Sequence, residues 1–153
     1  MTRNIPRTAL WLGLAGLLPM VWGVGETYLP FVRSFTEVWG NDWFLAPYAT
    51  LRYAEIILAF MSGVLWGFAA RSNAATAGTG YVLSVLPALY AFFFVIGGVH
   101  EVAVKLAIGF VLVLFIDRLF SRQGLTPDWW MPLRIMLTAG MVACLLLIAY
   151  AHY

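Results

Sequence analysis

The sequence has very little charge and few of the residues that build catalytic or metal centres. Only 10% of its 153 residues are Asp, Glu, Lys or Arg, and it has two histidines and one cysteine. A single cysteine, Cys144, excludes an internal disulfide, a CxxC redox pair and a thiolate metal site. Because Cys144 lies in an apolar run, we interpret it as a packing residue and not as a reactive thiol.

Recognisable catalytic and ligand-binding motifs are also missing from the sequence. It contains no HExxH, no GxSxG and no phosphate-binding glycine loop. His100 has only its neighbour Glu101 nearby, and adjacent side chains point apart on a helix, which argues against a metal site. The net charge of +2 is scattered, so no nucleic-acid partner is expected. We therefore expect no catalytic residues, no cofactor, no metal and no enzymatic activity.

Apolar residues dominate what is present. They make up 63% of the chain, more than a soluble domain of this length can bury, so the expected solvent is lipid. The sequence predicts an all-α membrane protein, a single domain over residues 1–153 formed by a bundle of about five transmembrane helices. The predicted spans are 8–24, 48–70, 80–96, 102–119 and 129–150. Pro19 predicts a kink in the first span, where a neighbouring helix can satisfy the freed carbonyl.

The start of the chain has a second interpretation. A basic segment before an apolar run is also typical of a cleaved signal peptide. The run is long, and the residues after it lack a small-x-small cleavage site, so a membrane span is favoured.

The first connection, residues 26–47, predicts a short interfacial helix on the outer membrane surface. Apolar side chains recur there at helical spacing, and Ser34 with Glu37 has the form of a capping box. These apolar residues are Phe31, Phe35, Val38 and Trp39. Trp43 and Phe44 are of the kind found where lipid meets water. An irregular aromatic loop is the alternative, because the apolar stripe covers only about two turns.

Basic residues predict the orientation of the bundle. Five spans place the termini on opposite sides, and the side with more Lys and Arg is normally cytoplasmic. One side holds Arg3, Arg7, Arg71, Arg118, Arg122 and Arg134, and the other holds Arg33, Arg52 and Lys105. The N-terminus is therefore expected to be cytoplasmic and the C-terminus outside, with acidic residues such as Glu26 facing outward. Asp117 is expected as an interfacial charge, and Arg134 as a contact to lipid phosphate.

The second span carries polar and small residues along one helical face. Spacings of 4, 3, 4, 3 and 4 join Tyr48, Arg52, Glu55, Ala59, Ser62 and Trp66. This face is predicted to contact protein, while the face with Leu58, Met61 and Leu65 suits lipid or an apolar neighbour. Gly63 and Gly67 border the polar face. We expect them to pack inside the bundle, with self-dimerisation as the alternative.

Charged residues in the second and fourth spans predict a shared cluster. Arg52 and Glu55 are one turn apart, and Glu101 precedes Lys105 by four residues, the favourable order for an ion pair. At about 1.5 Å per residue, both pairs lie at similar depths. We expect one neutral cluster with His100 at its rim. It either fixes helix register or forms the floor of a cavity open to the outside.

Several segments resemble the transmembrane protein 69-like family of small integral membrane proteins, which carry a domain of unknown function. The similar segments are 5–21, 53–67, 83–92, 115–119 and 125–147. In the second span the chain keeps the family-typical Tyr53, Phe60, Gly63, Trp66 and Gly67. It departs from the family pattern at Ala54, Glu55, Ala59, Ser62 and Leu65, the last standing where the family usually has histidine. The resemblance implies about five spans in a bacterial inner membrane, or a mitochondrial one, and brings no established activity.

Two functions are compatible with these features. The first is a non-enzymatic inner-membrane protein that acts by packing its helices against lipid or membrane-protein partners. The second is a binder or carrier of a small amphipathic molecule (a lipid, quinone or tetrapyrrole) in a cavity near spans two and four. A connected cavity lined by Glu55, Ser62 and Trp66 would favour the second function, whereas a tightly packed interior with an exposed glycine face would favour the first.

Overall fold

The fold is a bundle of helices. The computed structural model describes residues 5–39, 45–72 and 74–151, with the side chains of 74–76 excepted. The described residues form seven helices and no strand. The helices are α1 (Arg7–Ala15), α2 (Leu18–Tyr28), α3 (Pro30–Trp39), α4 (Tyr48–Ala69), α5 (Ala74–Phe94), α6 (Val99–Arg122) and α7 (Trp130–Ala149).

Five stretches of this chain are long and apolar enough to cross a membrane, as the sequence predicts. The first is α1 together with α2, and the others lie in α4, α5, α6 and α7. They contain between 18 and 24 residues each, which matches the roughly 20 residues that a bilayer requires. Three spans are longer than predicted: the first continues to Tyr28, the third covers Ala77–Phe94, and the fourth runs from Val99 to Arg122.

The break between α1 and α2 confirms the predicted kink near Pro19. Proline has no amide hydrogen, so the regular hydrogen-bond ladder cannot pass through it. The next amide, that of Met20, donates to the Leu17 carbonyl at 3.0 Å, which leaves the Gly16 carbonyl without its helical donor. The Tyr53 hydroxyl of α4 donates to that carbonyl at 2.6 Å. A neighbouring helix therefore stabilises the kink.

Helix α3 confirms the short helix predicted in the first connection. It begins at Pro30, a residue favoured in the first turn, so Ser34 lies inside the helix and the predicted capping box at Ser34 is wrong. Its apolar side chains are largely exposed, with Phe31 at 72% and Trp39 at 77%. This is the arrangement expected of a helix lying at a membrane surface. Trp43 and Phe44 lie outside the described residues.

Two helix pairs form the centre of the bundle. Helix α4 packs most extensively against α5, α6 packs against α7, and α4 crosses α6 to join the two pairs. The crossing needs a glycine: a Cβ atom on Gly109 would lie 2.8 Å from Leu58 Cδ2 and 2.9 Å from Tyr90 Cε1. The hydrophobic core of the bundle contains fully buried side chains, among them Leu58, Leu65, Leu106, Phe110 and Leu145.

The buried face of α4 differs from the predicted one. Its core residues are Leu51, Ala54, Leu58, Met61, Leu65 and Ala69. Tyr48 is 75% exposed and Trp66 is 50% exposed, so the prediction that the whole polar face contacts protein is wrong. The apolar residues of α4 are buried because α5 and α6 present apolar surfaces to them, and the polar face lies at the edge of this contact.

Gly63 and Gly67 do not pack inside the bundle. Both are exposed, and no atom of the described chain lies within 4 Å of the position that a Cβ would take on either residue. The expectation of a packing contact inside the bundle is therefore wrong. The close contacts are made by other glycines, because a Cβ on Gly23 would collide with Thr50 and one on Gly80 would lie 3.0 Å from Ala69 Cβ.

The bundle has two distinct ends. At one end, which we call the α3 end, α2 reaches α7 because the Tyr28 hydroxyl donates to the Leu147 carbonyl at 2.7 Å. At the opposite end, Phe68 of α4 lies edge-on to Trp130 of α7, with ring centroids 5.1 Å apart. This arrangement brings the start of α7 close to the end of α4.

Candidate functional site

The predicted charges form two separate ion pairs. Arg52 Nη1 lies 3.3 Å from Glu55 Oε2 on α4, and Lys105 Nζ lies 3.9 Å from Glu101 Oε2 on α6. Among the described residues, no ion pair joins α4 to α6. Lys105 Nζ also donates to the Ile96 carbonyl at 2.5 Å, which ties it to the α5–α6 connection. Each charge is therefore neutralised within its own helix.

His100 connects two helices at the α3 end. Its Nδ1 lies 2.9 Å from the Ala149 carbonyl, and its ring meets that of Tyr150 with centroids 5.2 Å apart. A carbonyl can only accept, so Nδ1 carries the hydrogen of this bond. The interaction holds the start of α6 against the end of α7.

Ser62 and Trp66 lie along the contact between α4 and α5. The Ala88 amide, next to Pro87 in the interior of α5, donates to Ser62 Oγ at 2.9 Å. Trp66 packs on Tyr81 of α5 with ring centroids 4.5 Å apart. These contacts join the two helices on either side of the proline, and neither residue is among the described lining of the cavities below.

A large cavity lies at the α3 end, and we call it the α3 cavity. Its volume is about 1190 Å³, and it lies between α2, α3, the start of α4 and the α5–α6 connection. Its described walls include five aromatic residues: Trp22, Phe35, Trp39, Tyr48 and Tyr53. Arg52 and Glu55 are the charged groups of the described lining. The sequence predicted a site near spans two and four. The second span, which corresponds to α4, forms a large part of the wall of the α3 cavity.

A buried ion pair between two helices lies at the opposite end of the bundle. Asp117 of α6 is completely buried and accepts two hydrogen bonds, one on each carboxylate oxygen. Trp130 Nε1 donates to Oδ1 and Arg134 Nε donates to Oδ2, both at 2.8 Å. We call this arrangement the Asp117–Arg134 centre. It overturns the expectations that Asp117 is an interfacial charge and that Arg134 contacts lipid phosphate.

One signal in the sequence could have indicated this centre. Helices α6 and α7 are joined by a short connection, so the end of one and the start of the other lie at the same depth. Asp117 is five residues before the end of α6, and Arg134 is four residues after the start of α7. Opposite charges at matching depths on consecutive helices favour an ion pair, and Trp130 is one turn from Arg134.

Glu26 is a second buried carboxylate that the sequence did not indicate. It was expected to face outward, but it is only 3% exposed. Its Oε2 accepts a hydrogen bond from the Ala46 amide at 2.9 Å, and its Oε1 has no partner among the described residues. Glu26 therefore fixes the chain just before α4 against the end of α2.

Five helical stretches of spanning length within the described residues, together with a surface helix whose aromatic face is exposed, define a polytopic α-helical membrane protein. Comparison with known proteins gives its family. The chain belongs to the family described as "Protein of unknown function (DUF3429)", which matches residues 5–150. This confirms the family resemblance found in the sequence.

One curated relative shows how far the similarity extends. Transmembrane protein 69 of Xenopus tropicalis is 31% identical to this chain over 144 residues. The similar region covers 92% of this chain and 53% of that protein, so the chain spans about half the length of its relative. No solved structure matches the chain.

Proposed function

We propose that this protein is a non-enzymatic membrane protein that binds a small amphipathic molecule in the α3 cavity. The observation that carries the proposal is the size and composition of that cavity. At about 1190 Å³ it exceeds the roughly 300–1,000 Å³ of ordinary small-molecule sites, and its described walls are mainly aromatic and aliphatic.

The walls favour a ligand with an apolar body and a polar head. Trp22, Phe35 and Ile56 offer apolar surface, whereas Arg52 and Glu55 bring both signs of charge to the same cavity. Because the two charges already form an ion pair, a zwitterionic or uncharged polar head disturbs the charge balance less than an ion does. A lipid or a quinone has this chemistry.

The proposed setting is the inner membrane, with the N-terminus in the cytoplasm. The opposite end of the bundle holds Arg7, Arg71, Arg118 and Arg122, and an excess of basic residues favours the cytoplasmic side. Arg134 no longer counts among the basic residues that predict the orientation, because it is buried in an ion pair with Asp117. The α3 end, where Arg33 and Arg52 each pair with a glutamate on the same helix, then faces outward.

A second candidate function is packing against another membrane protein. The exposed surface around Gly63 and Gly67 supports it, because small residues allow the backbones of two helices to approach closely. In this alternative a helix of the partner lies on α4, and the α3 cavity is filled by ordinary bilayer lipid.

Mass spectrometry of the purified protein tests the proposal. The protein is extracted from native membranes in mild detergent, and retained small molecules are quantified for two variants. Ala49→Trp fills the α3 cavity, which Ala49 lines, whereas Ala143→Trp adds the same side chain at an exposed position of α7. We expect one class of amphipathic molecule to be retained by the wild type and by Ala143→Trp and to be lost from Ala49→Trp.

Two results would argue against binding in this cavity. Equal retention by both variants would indicate lipid bound generally to the surface of the bundle. Retention of a protein with no small molecule, abolished by Gly67→Leu, would favour the packing function instead.

A further inference from the structure

A second, smaller cavity lies beside the Asp117–Arg134 centre, and we call it the α7 cavity. Its volume is about 220 Å³, and it lies between α1, the kink before α2, α4 and α7. Its described lining is apolar except for a few side chains, which include Tyr53, Arg134 and Thr138. It is distinct from the α3 cavity, with which it shares only Tyr53 among the described lining residues.

Two buried polar groups in the wall of this cavity lack hydrogen-bond partners among the described residues. Arg134 is 5% exposed and Thr138 is 3% exposed. Within the described part of the chain, neither Arg134 Nη2 nor Thr138 Oγ1 has a partner. They are four residues apart on α7 and therefore lie on the same face of the helix. A buried polar group without a partner costs about 1–3 kcal/mol, so two in one wall indicate a site for a third molecule.

Two contacts of the Arg134 side chain hold it at the edge of the cavity. Its Nε donates to Asp117 at 2.8 Å, and its guanidinium lies 5.9 Å from the centre of the Trp130 ring. The positive charge of Arg134 is therefore neutralised by Asp117. The cavity wall therefore offers the Nη2 group of Arg134 and the hydroxyl of Thr138, without a net charge.

These features determine the class of ligand. A guanidinium N–H only donates and a hydroxyl can donate, so the matching group is an acceptor. An anion would place an uncompensated negative charge in an apolar wall, whereas a carbonyl oxygen would satisfy both donors without adding charge. The volume is below the roughly 300–1,000 Å³ of sites that enclose whole drug-sized ligands, so it suits a headgroup or one ester segment.

We propose that the α7 cavity binds the carbonyl group of an uncharged lipophilic molecule, with Arg134 Nη2 and Thr138 Oγ1 as the hydrogen-bond donors. A quinone head and the ester of an acyl lipid share this chemistry. The site does not depend on ligand binding in the α3 cavity, because it lies at a different level of the bundle and uses different polar groups.

A binding experiment with two probes separates the sources of the carbonyl. The full chain in detergent is titrated with decylubiquinone or with monoolein, and ligand-induced thermal stabilisation gives the dissociation constant. Thr138→Val removes the hydroxyl at nearly constant volume. Thr126→Val is the matched control. Thr126 Oγ1 is also buried and has no partner in the described part of the chain, but Thr126 is not among the described residues of the α7 cavity.

We expect one probe to bind, and Thr138→Val to weaken its binding by about fivefold, which corresponds to the loss of one hydrogen bond. Thr126→Val should leave the dissociation constant unchanged, and Thr138→Ser should retain binding because it keeps the hydroxyl. Thr138→Ala replaces the valine variant if that variant does not fold. Preference for decylubiquinone identifies a quinone head, and preference for monoolein identifies an acyl ester.

The proposal is overturned if neither probe binds. It is also overturned if Thr138→Val binds both probes as tightly as the wild type and Thr126→Val do. Either result would show that water alone satisfies Arg134 and Thr138. These outcomes do not bear on the proposed ligand binding in the α3 cavity, because Ala49→Trp tests that cavity separately.

Discussion

At the scale of single residues, the Asp117–Arg134 centre contains the most deeply buried ion pair among the described residues. Asp117 accepts one hydrogen bond on each oxygen, and both donors belong to α7. The predicted ion pairs on α4 and α6 are different, because each joins residues of the same helix and has at least one side chain that is well exposed. The ion pair that we expect to contribute most to stability therefore lies at the end of the bundle opposite to the one that the sequence indicated.

The first prediction at this scale concerns the loss of one buried charge. Asp117→Asn should lower the free energy of unfolding by about 3–5 kcal/mol, because it leaves the Arg134 guanidinium buried without a counter-charge. Glu55→Gln is the control and should cost less than about 1 kcal/mol, because its partner Arg52 is 75% exposed. Unfolding in mixed micelles, followed by circular dichroism, measures both.

A double variant distinguishes charge imbalance from lost packing. Asp117→Asn combined with Arg134→Met removes both charges and keeps an acceptor for the Trp130 indole. It should recover most of the stability lost in Asp117→Asn, because replacing both members of a buried pair is often close to neutral. If the double variant is no more stable than Asp117→Asn, the imbalance explanation is wrong.

At the scale of helices, much of the architecture follows from the sequence. Hydropathy and length identify the five spans, and Pro19 identifies the kink, because these are properties of each segment alone. The face that α4 buries could not be derived in the same way. It depends on the apolar surfaces of α5 and α6, and polar residues such as Ser62 can be satisfied at the edge of a contact by a single hydrogen bond.

The contacts of the glycines could not be derived from the sequence either. Gly63 and Gly67 have the spacing of a helix contact, yet no described atom lies within 4 Å of a Cβ at either position, whereas Gly109 lies where α4, α5 and α6 meet closely. The sequence around Gly109 does not reveal this, because the atoms that restrict it, Leu58 and Tyr90, belong to other helices. The centre formed by Asp117 and Arg134 was likewise missed because each charge was assessed on its own helix.

The prediction at this scale compares two glycine substitutions. Gly109→Ala should lower the free energy of unfolding by about 1–3 kcal/mol, because the new methyl group meets Leu58 and Tyr90 below 3 Å. Gly67→Ala should be neutral or stabilising by up to about 1 kcal/mol, because alanine favours the helix and meets no described atom within 4 Å.

Unfolding in mixed micelles again provides the measurement. Equal effects at the two positions would contradict the crossing of α4, α5 and α6 at Gly109. A large loss at Gly67 alone would instead indicate a packing partner on the exposed face of α4.

At the scale of the whole molecule, the two ends of the bundle have different chemistry. The α3 end combines a surface helix, a large aromatic cavity and ion pairs within single helices. The opposite end combines the buried Asp117–Arg134 centre with a small cavity. This division suits a protein that receives an amphipathic molecule near one membrane surface while the other end holds the helices together.

Site-resolved photolabelling is the most direct measurement of binding in the α3 cavity. The protein is reconstituted in nanodiscs with a diazirine-bearing phospholipid, irradiated, and digested for mass spectrometry. Labelling is expected to concentrate on Phe35, Trp39 and Ile56, which line the cavity. It should fall on adding excess native lipid extract and in Ala49→Trp. Labelling spread evenly over exposed residues elsewhere, such as Phe92 and Leu147, and unchanged by Ala49→Trp, would contradict ligand binding in this cavity.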